Sequence, residues 1–529
     1  MRHFAFLATI NESCLAIRYD SWLRSSNGAT IVSSGDTHPS DKPHTLKRDL
    51  GLQIAIAVVV GNVIGSGIFL KPGNIAGDGG SFGLIISVWV FGGVLCLLGA
   101  LSFAELATMF PKAGGLYVYL RNAYGKPVGF LFGWTEIIFG KPASIGALSV
   151  AFIGSLSLAT GLAFPPPVKV LFATVLIVGL AGINIAGVLW GGRMQLATTV
   201  IKAGFLGLVA VLPFVMIPFA SDGFSATNYT TTTTPEKANL AAQVGAILLA
   251  VMWAYNGWHG ITPLAEEVSN PQRNIPLSLF AGIGILMLLY VSANVAYHGV
   301  LTMSEMKAAG DHAAEHTLQR LLGQPGLTAM SAVIMCSTFG AINSNLLGAP
   351  RISFAMGRDG VFFQSLGRVH ATFRTPVAAI VVMAAMSIAL VVTVAVAKGL
   401  ALDAVVDGYK SELLRKIVKS LQDDSIFSLL TNFVIFSASI FYMLGVAAVL
   451  VLRVRMPKAE RPYRTWGYPI TPIAFLVVYL WFLSQVYASN ALESRTGVFL
   501  ILCGLPVYFG YRAWNKSLVG SDEHDRSTS

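Results

Sequence analysis

The chain has 529 residues, is 54% hydrophobic and only 12% charged, and its mean hydropathy is +0.66. A soluble globular domain carries about 25% charged residues, so that class is excluded and a membrane protein is indicated. The formal charge of +10 does not call for a nucleic acid, because Lys and Arg cluster between apolar stretches, where the positive-inside rule already expects them.

Residues 1–47 are polar and rich in Ser, Thr and Asp, and their apolar patch "FAFLATI" is shorter than a signal-peptide core. They read as a cytoplasmic, disordered tail, with 515–529 a second cytoplasmic tail. Between the tails, apolar windows of membrane-crossing length predict about twelve transmembrane helices in an all-α polytopic protein. The windows are 48–77, 82–109, 124–160, 167–189, 193–219 and 238–266, then 276–301, 326–357, 375–397, 426–453, 468–489 and 493–514. With both termini inside, roughly two-thirds of the 36 Lys and Arg fall on inner segments. Residues 398–425, "KGLALDAVVDGYKSELLRKIVKSLQDDS", carry the discordant outer charges, and their apolar spacing predicts an amphipathic helix on the outer surface.

Span one is uncharged from Gly51 to Leu70, yet Gly65, Ser66 and Gly67 fall near its middle. Glycines there also permit close helix packing. Span six carries a second interruption, "WAYNGWHGITP", and the two match in position if spans one to five and six to ten form repeats of opposite orientation. Paired interruptions point to a transporter's midplane site. A broken helix leaves N–H groups bare at one end and carbonyls at the other. The half-helix after Gly67 presents a positive end suited to a carboxylate, and the first half of span six ends near Tyr255 with carbonyls suited to an ammonium. An α-amino acid carries both groups on one carbon.

The motifs "GNVIGSGIF", "PKAGGLYVYLR", "KPAS", "GGRMQLATTVIKAG", "WAYNGWHGITPLAEEVSNPQRNIP", "STFGAINSN", "RISFAMGRDG" and "RPYRTWGYPITP" together resemble the amino acid-polyamine-organocation permeases, closest to the L-type amino acid transporter branch. The resemblance covers about 48–470. It implies a five-plus-five inverted repeat, with repeat one near 48–219, repeat two near 238–453, discontinuous helices one and six, and spans 468–514 outside the repeats. It also implies sodium-independent amino acid transport by alternating access, as an exchanger or a proton-coupled importer in the plasma (inner) membrane. A non-transporting amino acid sensor is the alternative of another class, followed by an ion channel.

On that match, Ile64, Gly65, Ser66 and Gly67 are expected to meet the substrate carboxylate, and Trp253, Ala254, Tyr255, Asn256 and Gly257 form the unwound sixth span, with Trp253 as a lid. Ser337 and Thr338 are expected to line the site, interhelical hydrogen bonding being the other reading. Lys202, an isolated ionisable group within span five, matches a family lysine whose ammonium stands where related folds hold sodium. His259 stands where well-known eukaryotic members have Asn, as a structural imidazole or a proton-coupling group. Lys141 either pairs with Glu136 or sits at a distortion made by Pro142. Glu105, Glu266 and Glu267 with Arg121, Arg351 and Arg358 are expected at an inner gate, or as surface ion pairs. No nucleophile–base set, metal-ligand grouping or phosphate-binding loop appears, so neither an enzyme, a metal nor a cofactor is expected. The outer loop "LATGLAFPPPVKV" has no Cys, so no disulfide-linked heavy chain is expected beside the lipid bilayer and the substrate, and the sequence leaves the oligomeric state open.

Overall fold

Backbone groups in hydrocarbon must find partners within their own segment, and the computed structural model meets this with helices. It describes residues 46–217, 223–235, 239–399, 426–489 and 491–514, and among them no strand occurs beyond two isolated bridges. The tails and the proposed outer amphipathic helix lie outside the described residues, apart from Leu46, Lys47 and the last residues of a helix ending at Gly399.

In chain order, α1 (Leu52–Val63), α2 (Gly67–Leu70) and α3 (Pro72–Gly79) share the first predicted span. Then come α4 (Phe82–Met109), the short α5 (Leu116–Tyr124), α6 (Lys126–Thr160), α7 (Pro166–Ala186) and α8 (Val188–Met216). The second half opens with α9 (Leu240–Ala254), a 3-10 turn (Thr262–Glu267) and α10 (Pro271–Val300). Two connector helices follow, α11 (Met303–Ala309) and α12 (Ala313–Leu322), then α13 (Gln324–Gly348) and α14 (Pro350–Arg358). The chain ends with α15 (Val377–Gly399), α16 (Ile426–Arg455), α17 (Ile470–Ser489) and α18 (Ser494–Trp514). Among the described residues, eleven segments are long and apolar enough to cross a membrane. The sixth predicted span falls short because α9 stops at Ala254.

The connectors between α10 and α13 are ordered by local chemistry that the hydropathy scan passed over. Thr302 and Glu305 form a capping box that starts α11, and Arg320 of α12 donates two hydrogen bonds to Glu305, at 2.5 and 3.0 Å. Those bonds, foremost, hold the Glu305 carboxyl down to about 2, so the clasp stays ionised at ordinary pH. Within α6, Pro142 lacks an N–H and crowds the preceding turn, and the helix widens there into a π turn, Glu136–Gly140.

Helices α6 and α13 pack along each other, as do α4 and α10. In the predicted repeats these are spans three and eight, and two and seven, so equivalent members of the halves meet across the centre. Side chains that face outward include Val175, Val178, Val200, Ile201, Leu288 and Leu480, an apolar surface suited to lipid rather than water. At one end of the bundle, Leu50 N donates to Glu267 O at 3.0 Å and Ser269 N to Leu50 O at 2.9 Å. The start of the first span is thereby latched to the end of the sixth.

Candidate substrate site

Two helices break at the same depth of the core. After Val63 the chain leaves helix for Ile64, Gly65 and Ser66, and after Ala254 it turns until the 3-10 segment at Thr262. Gly257 adopts φ +94°, and a Cβ on it would stand 2.2 Å from the Asn62 amide nitrogen. That nitrogen instead donates to Gly257 O at 2.9 Å, joining the two breaks directly. A Cβ on Gly67 would lie 2.5 Å from Ala254 Cα, so only glycine lets these backbones approach. Gly67→Ala is expected to cut transport about tenfold or more through an overpacking cost of about 1–3 kcal/mol, measured as the initial uptake rate of variant that still elutes as a single species in detergent.

The broken ends are not equally free. Lys202 Nζ donates to Gly61 O at 2.5 Å, Ile64 O at 2.6 Å and Ser337 O at 3.4 Å, a cation against the negative end of α1. Ser337 Oγ is also within hydrogen-bond distance of Ile64 O and Gly65 O, at 2.8 and 2.9 Å. The Tyr290 hydroxyl stands between the two helix ends, 2.9 Å from Val63 O and 3.1 Å from Ala254 O. By contrast the N–H groups of Ser66, Gly67 and Ile68 meet no acceptor among the described residues, and Ser66 Oγ is buried without a partner. Across from them, the carbonyls of Tyr255 and Asn256 receive no donor among the described residues.

A small cavity lies between the breaks. Gly65, Ser66, Gly67, Trp253, Asn256 and Gly257 line it, together with Asn62, Lys141, Ser144, Leu148, Ala341 and Asn345. Five expected site residues do not reach it. Ile64 is fully buried with its carbonyl taken by Lys202 and Ser337. Ala254 backs the site against Gly67, and Tyr255 turns away to pack its ring on Trp89 and Tyr290. Ser337 supports the break from behind, and Thr338 bonds within its own helix to Ile334 O at 2.8 Å. His259 also lies off the cavity, its ring among Phe103, Trp258 and Tyr442, with Nδ1 unpartnered.

The expected gate residues gather around the end latched by Leu50. Glu267 and Arg351 form a fully buried pair, Nε to Oε1 at 2.9 Å and Nη2 to Oε2 at 3.3 Å. Glu266 accepts from Arg358 at 2.9 Å and from Ala113 N at 3.1 Å. Arg121 pairs with Asp359, which also accepts from the Tyr117 hydroxyl at 2.6 Å. Glu105 is more distant in role: it binds Arg453, Arg461 and Thr465 N, tying α4 to α16 and the loop beyond. Sequence reading missed Asn62, Tyr290, Ser144 and Asp359. A polar Asn62 beside the break was a usable signal, whereas Tyr290 sits in the apolar run "LMLLYVSANVAY" and gave none.

A family model described as amino acid permease matches residues 50–509. The chain is 31% identical over 469 residues to the serine/threonine exchanger SteT of Bacillus subtilis, covering 88% of this chain and 97% of that protein. It is 28% identical to the b(0,+)-type amino acid transporter 1 of Mus musculus, covering 89% and 90%. It is also 28% identical to the cystine/glutamate transporter of Homo sapiens, covering 94% and 91%.

Proposed function

Because the chain belongs to the amino acid permease family, we propose that it carries α-amino acids across a membrane by alternating access, as a sodium-independent exchanger with both termini on the cytoplasmic side. The observation that carries this reading is the pair of broken ends facing one cavity. Free N–H groups at Ser66 and Gly67 suit a carboxylate, and the free carbonyl of Asn256 suits an ammonium. Lys202 supplies the positive charge at the end of α1 that a sodium ion would otherwise have to provide. The latch at Leu50 and the ion pairs around Glu266, Glu267, Arg351 and Arg358 form the inner gate, which must part for release to the cytoplasm. Exchange is favoured by the Bacillus relative, itself described as an exchanger.

Purified protein in vesicles loaded with unlabelled amino acids is expected to take up labelled amino acid faster than in empty vesicles, equally well when sodium is replaced by choline. Uptake that needs sodium would overturn the role given to Lys202, and binding without any stimulated flux would mean a sensor. Trp253, which lines the cavity while remaining largely buried, closes over the bound molecule. Trp253→Ala is expected to raise KM about tenfold through loss of about 1.4 kcal/mol of aromatic contact; unchanged kinetics would remove Trp253 from the site.

A further inference from the structure

We propose that the cavity selects amino acids with a small, uncharged, hydrogen-bonding side chain, and that Lys141 balanced by Glu136 sets this choice; the inference rests on the transport reading above. Once the broken helices hold the carboxylate and ammonium, the substrate side chain faces the wall built by α6 and α13. On α6 that wall is Lys141, Ser144 and Leu148, three and seven residues apart on one helix face, and on α13 it is Ala341 and Asn345, four apart.

The wall offers both donors and acceptors. Ser144 Oγ has no partner among the described residues. Asn345 spends its amide nitrogen on Ala341 O at 3.0 Å and keeps its oxygen. Asn256 spends its oxygen on the Tyr442 hydroxyl at 3.0 Å and keeps its nitrogen. A hydroxyl or amide satisfies such a set, whereas an aliphatic or aromatic side chain displaces water and leaves these groups unpaired.

Charge is excluded by the pair beneath. The π turn stacks Lys141 one turn above Glu136, its backbone N–H bonded to Glu136 O, and this brings Nζ within 3.6 Å of Oε2. An ordinary α-helix does not align residues five apart. The carboxylate cancels the ammonium, so an acidic side chain gains no net attraction, and a basic one meets the ammonium directly.

The test uses vesicles preloaded in turn with labelled serine and with labelled leucine, each of the twenty amino acids being added outside, reading stimulated efflux. Serine, threonine, asparagine and glutamine are expected to act at concentrations about tenfold or more below those of leucine, phenylalanine, lysine and glutamate. Glu136→Gln uncovers the ammonium, and aspartate and glutamate are expected to gain about tenfold relative to serine. If leucine or phenylalanine leads the wild-type panel, or if glutamate does so without any mutation, the side-chain assignment falls while transport stands. A Glu136→Gln protein that transports with an unchanged panel overturns the part given to the ion pair, and an unfolded variant leaves the wild-type ranking to decide. Efflux stimulated by none of the twenty removes the transport premise and the inference together.

Discussion

Lys202→Ala is expected to lower the rate of stimulated uptake by about a hundredfold or more, with the protein still inserted and monodisperse. The ammonium is fully buried and has three donors for three carbonyls, those of Gly61, Ile64 and Ser337. Alanine strips the donor from Gly61 O and leaves Ile64 O with Ser337 Oγ alone, while Ser337 O, inside α13, keeps the backbone bond of its own helix. A buried carbonyl left unpaired costs about 1–3 kcal/mol, and the upper end of that range alone amounts to about a hundredfold. The cation also offsets the negative end of α1, so the break relaxes toward other geometries once it is gone. Arginine is no substitute, because its larger planar head must enter a space where even a Cβ on Gly340 would stand 3.3 Å from the ammonium. Initial rates for the three proteins, normalised to protein in the vesicles, check this; near-normal Lys202→Ala transport would refute the support role.

The second large effect concerns the gate. Glu267→Ala leaves the Arg351 guanidinium buried with only Leu347 O, at 2.6 Å, as its acceptor among the described residues, and breaking such a pair costs about 3–5 kcal/mol. A strong drop in the thermal midpoint is expected for Glu267→Ala and for Arg351→Ala, and a smaller one for the double variant than the two singles sum to. Glu266–Arg358 is the contrast. Its side chains are 22% and 49% exposed, so its removal is expected to cost under about 1 kcal/mol of stability, and its effect appears in the rate of transport instead. Thermal melts of the variants with the matching uptake rates separate a gate pair from a purely structural one.

What could be read before folding was whatever the membrane makes expensive. Helix breakers at Gly65–Gly67 and Tyr255–Gly257, and a lone charge at Lys202, each violate the demand that a span be apolar and fully bonded, so each stood out in one dimension. The partners that offset those violations did not. Tyr290 reaches two helix ends only because α10 packs along α1 and the tyrosine side chain extends to the end of α9, and nothing in its neighbours announces it. Ser337 and Thr338 are adjacent, so about 100° of helix rotation decides which one faces the break; the side chain of Ser337 does, and neither reaches the cavity. The wall formed by Ser144 and Asn345 depends on how α6 rotates after its π turn, a property of packing rather than of pattern. The connector helices α11 and α12 went unseen because their caps and clasp are polar, and a hydropathy window averages such signals away.

The most direct test of the central claim is a binding measurement on three forms of one substrate, serine with both charges free, serine amide and N-acetylserine, titrated into detergent-purified protein by calorimetry. Two helix ends that grip opposite charges on the same carbon predict binding of free serine and at least about a hundredfold weaker binding of each blocked form. Equal affinity for free serine and either derivative would mean that the corresponding broken end holds nothing.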